Sequence, residues 1–214
     1  MKVASFSVGA LQENAYLLVD EKVGEAVFVD PGAEGERLLS AVEEIGATLK
    51  EIWLTHAHFD HVGAVAALRR AWPDVKIRLH PDDEPIYVIA AQSAAKWGLA
   101  LEPPPPADLP LAEGDLLTVG DLEFSVIHTP GHAPGHVTIH GNGIALVGDC
   151  LFAGSVGRTD LPMADPRQLA SSLARLAEFP AETRVLPGHG PATTIGHELR
   201  ENPFLNGRMR LVGG

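Results

Sequence analysis

Four strand-like segments of this 214-residue chain each run into a histidine or an aspartate, and that arrangement restricts its fold more than any other feature. EIWL leads to His56, EFSVIH leads into the TPGH that ends at His132, IALVG leads to Asp149, and RVLPG leads to His189. Side chains on loops at the same ends of packed strands can converge on one point, which is how α/β proteins assemble a site on a rigid scaffold. Gly131, Gly148, Gly188 and Gly190 stand beside these residues and allow the tight turns such an edge needs.

Short apolar runs of strand type occur at Val3 to Val8, Ala15 to Val19, Ala26 to Val29, Glu51 to Leu54 and Lys76 to Leu79. Later ones occupy Leu116 to Val119, Leu122 to His128, Val137 to His140, Ile144 to Val147 and Arg184 to Leu186. Helical periodicity appears from about Glu36 to Ile45, with Leu38, Val42 and Ile45 on one face and Gly46 as the stop. A second helix is expected from about Gly63 to Ala71, ended by Pro73. A third starts at Asp165 as N-cap, with Pro166 in the first helical position and Gln168 where a capping box wants it. It buries Leu169, Leu173 and Leu176 and is closed by Pro180. Four consecutive prolines, Pro103 to Pro106, make Glu102 to Pro110 a stiff surface crossing. Because both halves it separates carry part of the His/Asp set, residues 1 to 214 are read as one α/β domain.

The densest chemistry is THAHFDH, Thr55 to His61. With 10 histidines in the chain, a chance HxHxDH has odds of roughly one in a thousand. Imidazole and carboxylate groups without thiolate suit zinc, iron or manganese. A formal net charge of -12, with no block of Lys and Arg, argues against phosphate-neutralising contacts with nucleic acid. The single cysteine, Cys150, excludes an internal disulfide framework and agrees with a reducing compartment. The first residues lack the continuous apolar run of a signal peptide, and no stretch is long enough to span a bilayer. The expectation is a cytoplasmic protein without a membrane partner, its oligomeric state left open.

HxHxDH, TPGH, GD and PGHG, in this order, resemble the metallo-β-lactamase superfamily over most of the chain. THAHFDH, TPGHAPGH at 129–136, GDCLFAGSVGRTDLP at 148–162, PGHG at 187–190 and ENPFL at 201–205 are most similar to small glyoxalase II-like proteins. The resemblance implies an αββα sandwich of two mixed sheets with the site along one edge. It also implies that His56, His58 and His132 hold one metal, that Asp60, His61 and His189 hold a second, and that Asp149 bridges them. Two divalent ions are the implied cofactors, with zinc expected and iron or manganese also compatible. Such a pair lowers the pKa of a shared water toward neutrality, so that hydroxide can attack a thioester or ester carbonyl while Asp60 orients the water or takes up its proton. The implied activity is hydrolysis of a small-molecule thioester or ester, of the hydroxyacylglutathione hydrolase kind. Full-length glyoxalase II enzymes carry a further helical region after the last ligand, and Ala57 stands where they usually have another histidine.

Several neighbours have two readings each. Asp30 in VDPG either hydrogen-bonds the ligand histidines or is a turn aspartate before Pro31. His136 either supports the ligands or fills the core. Cys150 has a redox reading and a packing reading. Arg158 offers a planar fork to a substrate carboxylate or pairs with Asp160. His80, His128, His140 and His197 are read as ordinary histidines. A rival activity is that of a persulfide dioxygenase, whose single iron would use His56, His58 or its neighbours, His132 and Asp149. A metal that only staples the fold is disfavoured, because structural zinc sites are usually closed and cysteine-rich.

Overall fold

In the computed structural model, which describes residues 1–211, the first six strands form one mixed sheet. They are β1 (Lys2–Val8), β2 (Glu13–Asp20), β3 (Glu25–Val29), β4 (Thr48–Trp53), β5 (Lys76–Leu79) and β6 (Leu109–Pro110), in that spatial order. β1, β2 and β3 pair antiparallel across short turns, whereas β3 to β6 run parallel. The second sheet contains β7 (Leu116–Val119), β8 (Leu122–His128), β9 (Val137–Gly141), β10 (Ile144–Gly148), β13 (Arg184–Pro187) and β14 (Thr193–Thr194), ordered β14-β13-β10-β9-β8-β7. Only its β10–β13 pair is parallel. A small hairpin, β11 (Leu151–Phe152) and β12 (Ser155–Val156), projects after β10.

The side-chain period of two explains the layering. In the first sheet Tyr16, Leu18, Val27, Val29 and Trp53 face inward, and they share a core with Phe124, Val126, Ile139, Ile144 and Leu146 of the second. The alternate residues Leu17, Val19, Phe28 and Ile52 face outward and are covered by α1 (Gly35–Ile45) and α3 (Val65–Ala71), through Leu38, Val42, Val65 and Leu68. On the far side, Ala145, Val147 and Val185 are covered by α6 (Pro166–Leu176), through Leu169, Leu173 and Leu176. The result is the expected αββα sandwich. The remaining helices are α2 (Phe59–Val62), α4 (Glu84–Tyr87), α5 (Ala90–Lys96) and α7 (Ile195–Glu201). No described helix is long and apolar enough to cross a membrane.

Three local expectations are corrected. The helix expected from Gly63 begins instead at Val65, with the separate turn α2 before it. The break arises because Ala64 N donates to Pro31 O (2.9 Å) and Gly63 packs so closely on Gly32 O that a Cβ would come within 2.2 Å of it. The Glu102–Pro110 crossing ends in paired structure: Leu109–Pro110 adds an edge strand beside β5, a place where proline's missing N–H is tolerated. α6 ends at Leu176, short of Pro180, and Phe179 N closes a turn on Leu176 O.

The cap of α6 matches its sequence signature, since Asp165 Oδ1 accepts from Arg167 N (2.7 Å) and Gln168 N (3.2 Å). Asp165→Ala is expected to lower stability by about 1 kcal/mol. A shift of the urea midpoint at unchanged slope would check this, and an unshifted midpoint would refute it.

Candidate metal centre

The seven predicted side chains come from the ends of strands in both sheets and meet at the seam between them. His56 and His58 follow β4, Asp60 and His61 ride on α2, His132 lies in the loop between β8 and β9, and Asp149 and His189 follow β10 and β13. His56, His58 and His132 each offer a nitrogen within 4.8 Å of the others, and Asp60, His61 and His189 form a second such triad. Asp149 stands between the triads. Its Oδ2 is 3.5 Å from His132 Nε2 and 3.7 Å from His189 Nε2, and its Oδ1 is 3.4 Å from His61 Nε2.

Bonds on the far side of the imidazoles fix which nitrogen faces the centre. His132 Nδ1 donates to Arg158 O (2.9 Å), and His189 Nδ1 donates to Leu11 O (3.1 Å). Thr55 Oγ1 donates to Asp30 Oδ2 (2.5 Å), so it accepts from His56 Nδ1 (3.1 Å) and leaves His56 Nε2 with a lone pair. Asp30 also takes Thr55 N (2.7 Å) and His61 Nδ1 (3.1 Å). Asp30 is therefore the histidine-orienting group, and it holds a left-handed backbone (φ 49°) that aspartate tolerates better than most residues. His136 Nε2 accepts from Asp149 N (3.1 Å) while Nδ1 meets Thr129 Oγ1 (3.0 Å), so this histidine supports the Asp149 backbone and leaves the centre to others. The Asp83 carboxylate holds Ala57 N (2.8 Å) and Gly135 N (2.6 Å), tying the two loops of the first triad together.

Donor chemistry and burial both fit divalent cations. His56 Nε2, His61 Nε2 and Asp149 Oδ1 are buried with no hydrogen-bond partner, a costly state for groups that otherwise face each other. His58 Nδ1 and His132 Nε2 approach to 2.9 Å. Burial, reinforced by neighbouring imidazoles, depresses His56 well below the ordinary histidine range and His58 to about 3, which leaves neutral lone-pair donors. Cys150 is buried and burial pushes its thiol up, so the packing reading holds for it. His80 and His128 stack at 4.3 Å with planes 4° apart and, with Asp82, make a further, partly exposed His/Asp group in which His80 Nδ1 accepts from Asp82 N (3.2 Å) and His128 Nε2 donates to Pro134 O (2.8 Å).

Beside the centre lies a cavity of about 590 Å³. Phe59, Ile86, Ile89, Trp97, Phe152 and Met163 supply apolar wall, while Lys96 and Arg158 bring positive charge. Trp97 is 58% exposed, large for an aromatic that packs against Phe59 at 6.1 Å, and marks an open apolar rim. Arg158 reaches this rim with its fork already engaged by Asp160 (2.7 and 2.8 Å). The wall formed by α4 and α5 was not anticipated from sequence, although Pro85 at a helix start and the alanines of AAQSAAKWG are a readable helical signal.

A family model for the metallo-beta-lactamase superfamily matches residues 8–189. Hydroxyacylglutathione hydrolase GloC of Haemophilus influenzae is 37% identical over 215 residues, spanning 97% of this chain and 100% of its own. Among solved structures, TTHA1623 in a di-iron-bound form superposes with a TM-score of 0.88 at 50% identity, covering 94% of this chain and 100% of its own. The B3 metallo-beta-lactamase BLEG-1 gives 0.88 at 38% identity over 95% and 99% of the two chains. ETHE1 from Myxococcus xanthus gives 0.82 at 30% identity over 97% and 85%.

Proposed function

Because the chain belongs to the metallo-β-lactamase superfamily, we propose that this metallohydrolase cleaves a small-molecule thioester or ester, with hydroxyacylglutathiones as the leading substrate class. The observation that carries the reading is a pair of His/Asp triads sharing Asp149 at the foot of an apolar-walled cavity. Similarity to GloC supports the choice of thioester.

His56, His58 and His132 would hold one cation, Asp60, His61 and His189 the other, and Asp149 would touch both. Two such ions, zinc by expectation or iron as in TTHA1623, would supply a water acidified toward neutrality and an electrophile for the carbonyl oxygen. Asp60, whose Oδ2 lies 3.2 Å from His189 Nε2, lines the cavity and is placed to accept the attacking water's proton. Apolar walls orient the acyl and thiol portions and exclude bulk water. Lys96 and Arg158 draw a substrate carboxylate toward the rim, Arg158 after exchanging Asp160 for it.

A second reading is an oxidoreductase of the persulfide dioxygenase kind, since His56, His58, His132 and Asp149 alone could hold a single iron. It leaves the second group of converging donors, Asp60, His61 and His189, without a cation to hold, which favours the two-ion hydrolase. The deciding experiment quantifies zinc, iron and manganese in purified protein and follows thiol release from S-D-lactoylglutathione. Two ions per chain with release independent of oxygen is expected. One iron per chain, no release and oxygen uptake with a persulfide would replace the hydrolase reading.

A further inference from the structure

Glu13, the first residue of β2, lies beneath the second triad and has no place in the chemistry described so far. Its side chain is fully buried, and neither carboxylate oxygen has a hydrogen-bond partner. The nearest group able to share its charge is His61, whose Nδ1 is 3.7 Å from Oε1 and is already closer to Asp30. A buried carboxylate without a partner is strongly unfavourable unless positive charge is close, and burial accordingly pushes the Glu13 acid well above the ordinary carboxylate range.

The surroundings of Glu13 locate where that charge belongs. Its backbone bridges to His189, and the next residue clamps the same turn: Asn14 N donates to Gly188 O (2.7 Å), and Asn14 Nδ2 donates to Pro187 O (3.1 Å) and Gly190 O (2.8 Å). On the other side, Glu13 Oε2 and the Asp60 carbonyl oxygen both crowd the bare Cα of Gly32, at 2.4 and 1.8 Å from where a Cβ would stand. One residue thus touches the loop of Asp60 and His61 through its side chain and the loop of His189 through its backbone. The first triad is backed differently. Behind His56 and His132 are the Thr55 hydroxyl and the Arg158 carbonyl, and the nearby Asp83 carboxylate is engaged by two backbone amides.

We propose that Glu13 is a positioning residue for the second site, whose buried carboxyl group, set against His61 and without a hydrogen-bond partner, raises the affinity of the Asp60–His61–His189 triad for a divalent cation. This rests on the reading of the triads as cation sites. Removing supporting groups of this kind typically weakens metal binding about 10- to 100-fold.

Glu13→Gln keeps the size and removes the charge. Chelator-stripped wild type titrated with Zn²⁺ is expected to take up two ions, whereas Glu13→Gln binds one of them about 10- to 100-fold more weakly and the other unchanged. Glu13→Asp, which retains charge, should stay closer to wild type. Glu13→Gln should gain less thermal stability than the wild type on adding zinc. Wild-type affinity for both ions in Glu13→Gln overturns the proposal, as does equal weakening in the Asp and Gln variants or failure of Glu13→Gln to fold. Wild type that binds no ion would sink the cation reading itself, a different result from two ions held equally well with and without Glu13.

Discussion

Asp149→Ala is expected to lower turnover of a thioester substrate about 1000-fold or more, near 4 kcal/mol of barrier, in a protein that still folds. The side chain faces His61 at 3.4 Å, His132 at 3.5 Å and His189 at 3.7 Å, so its loss strips charge from both triads at once. Its scaffold survives: the Asp149 amide held by His136 is backbone, and Gly188 N still donates to Gly148 O (2.8 Å). Steady-state kinetics, metal content per chain and far-UV circular dichroism measured together check this. A variant whose main defect is unfolding, with turnover per folded molecule preserved, would mean that the ions only staple the fold.

Trp53→Ala should cost about 3–5 kcal/mol of stability, the range for deleting a large aromatic from a core. Trp53 is 0% exposed between the two sheets, meets Phe124 edge-on at 5.7 Å, and its indole Nε1 donates to Glu51 Oε2 (2.7 Å). Both the ring volume and the bond disappear. Glu51 keeps Arg78 (2.6 and 2.9 Å), so the loss is dominated by the cavity. Because Trp53 ends the strand that leads to His56 and His58, metal retention should weaken in parallel. Urea titration with and without added zinc separates the two effects, and a loss under about 1 kcal/mol would show that the inter-sheet layer collapses around the gap.

The strands were legible because alternation of apolar residues reports directly which face is buried, as with Leu17 and Val19 on one side and Tyr16 and Leu18 on the other. HxHxDH and its three distant partners were legible because each ends a strand whose direction the pattern reveals. Glu13 and Thr55 were not, since a single acid at a strand start or a threonine before a histidine has no periodicity, and their meaning lies in contacts with residues far along the chain. The break between α2 and α3 escaped for the same reason, being imposed by Pro31 and Gly32. Arg158 was legible as a pair of alternatives: the structure shows its ion pair with Asp160 and also its place on the cavity rim.

The segment of α4 and α5 supplies much of the cavity's apolar side yet none of the seven converging His and Asp side chains. Reactivity and molecular selection are thus written in different stretches of chain. Substitutions at Ile86, Ile89, Lys96 or Trp97 are expected to change which molecule the cavity accepts without disturbing the bonds that aim the imidazoles. A lineage with this layout can acquire new substrates by drift in one short, surface-lying stretch while inheriting its chemistry intact.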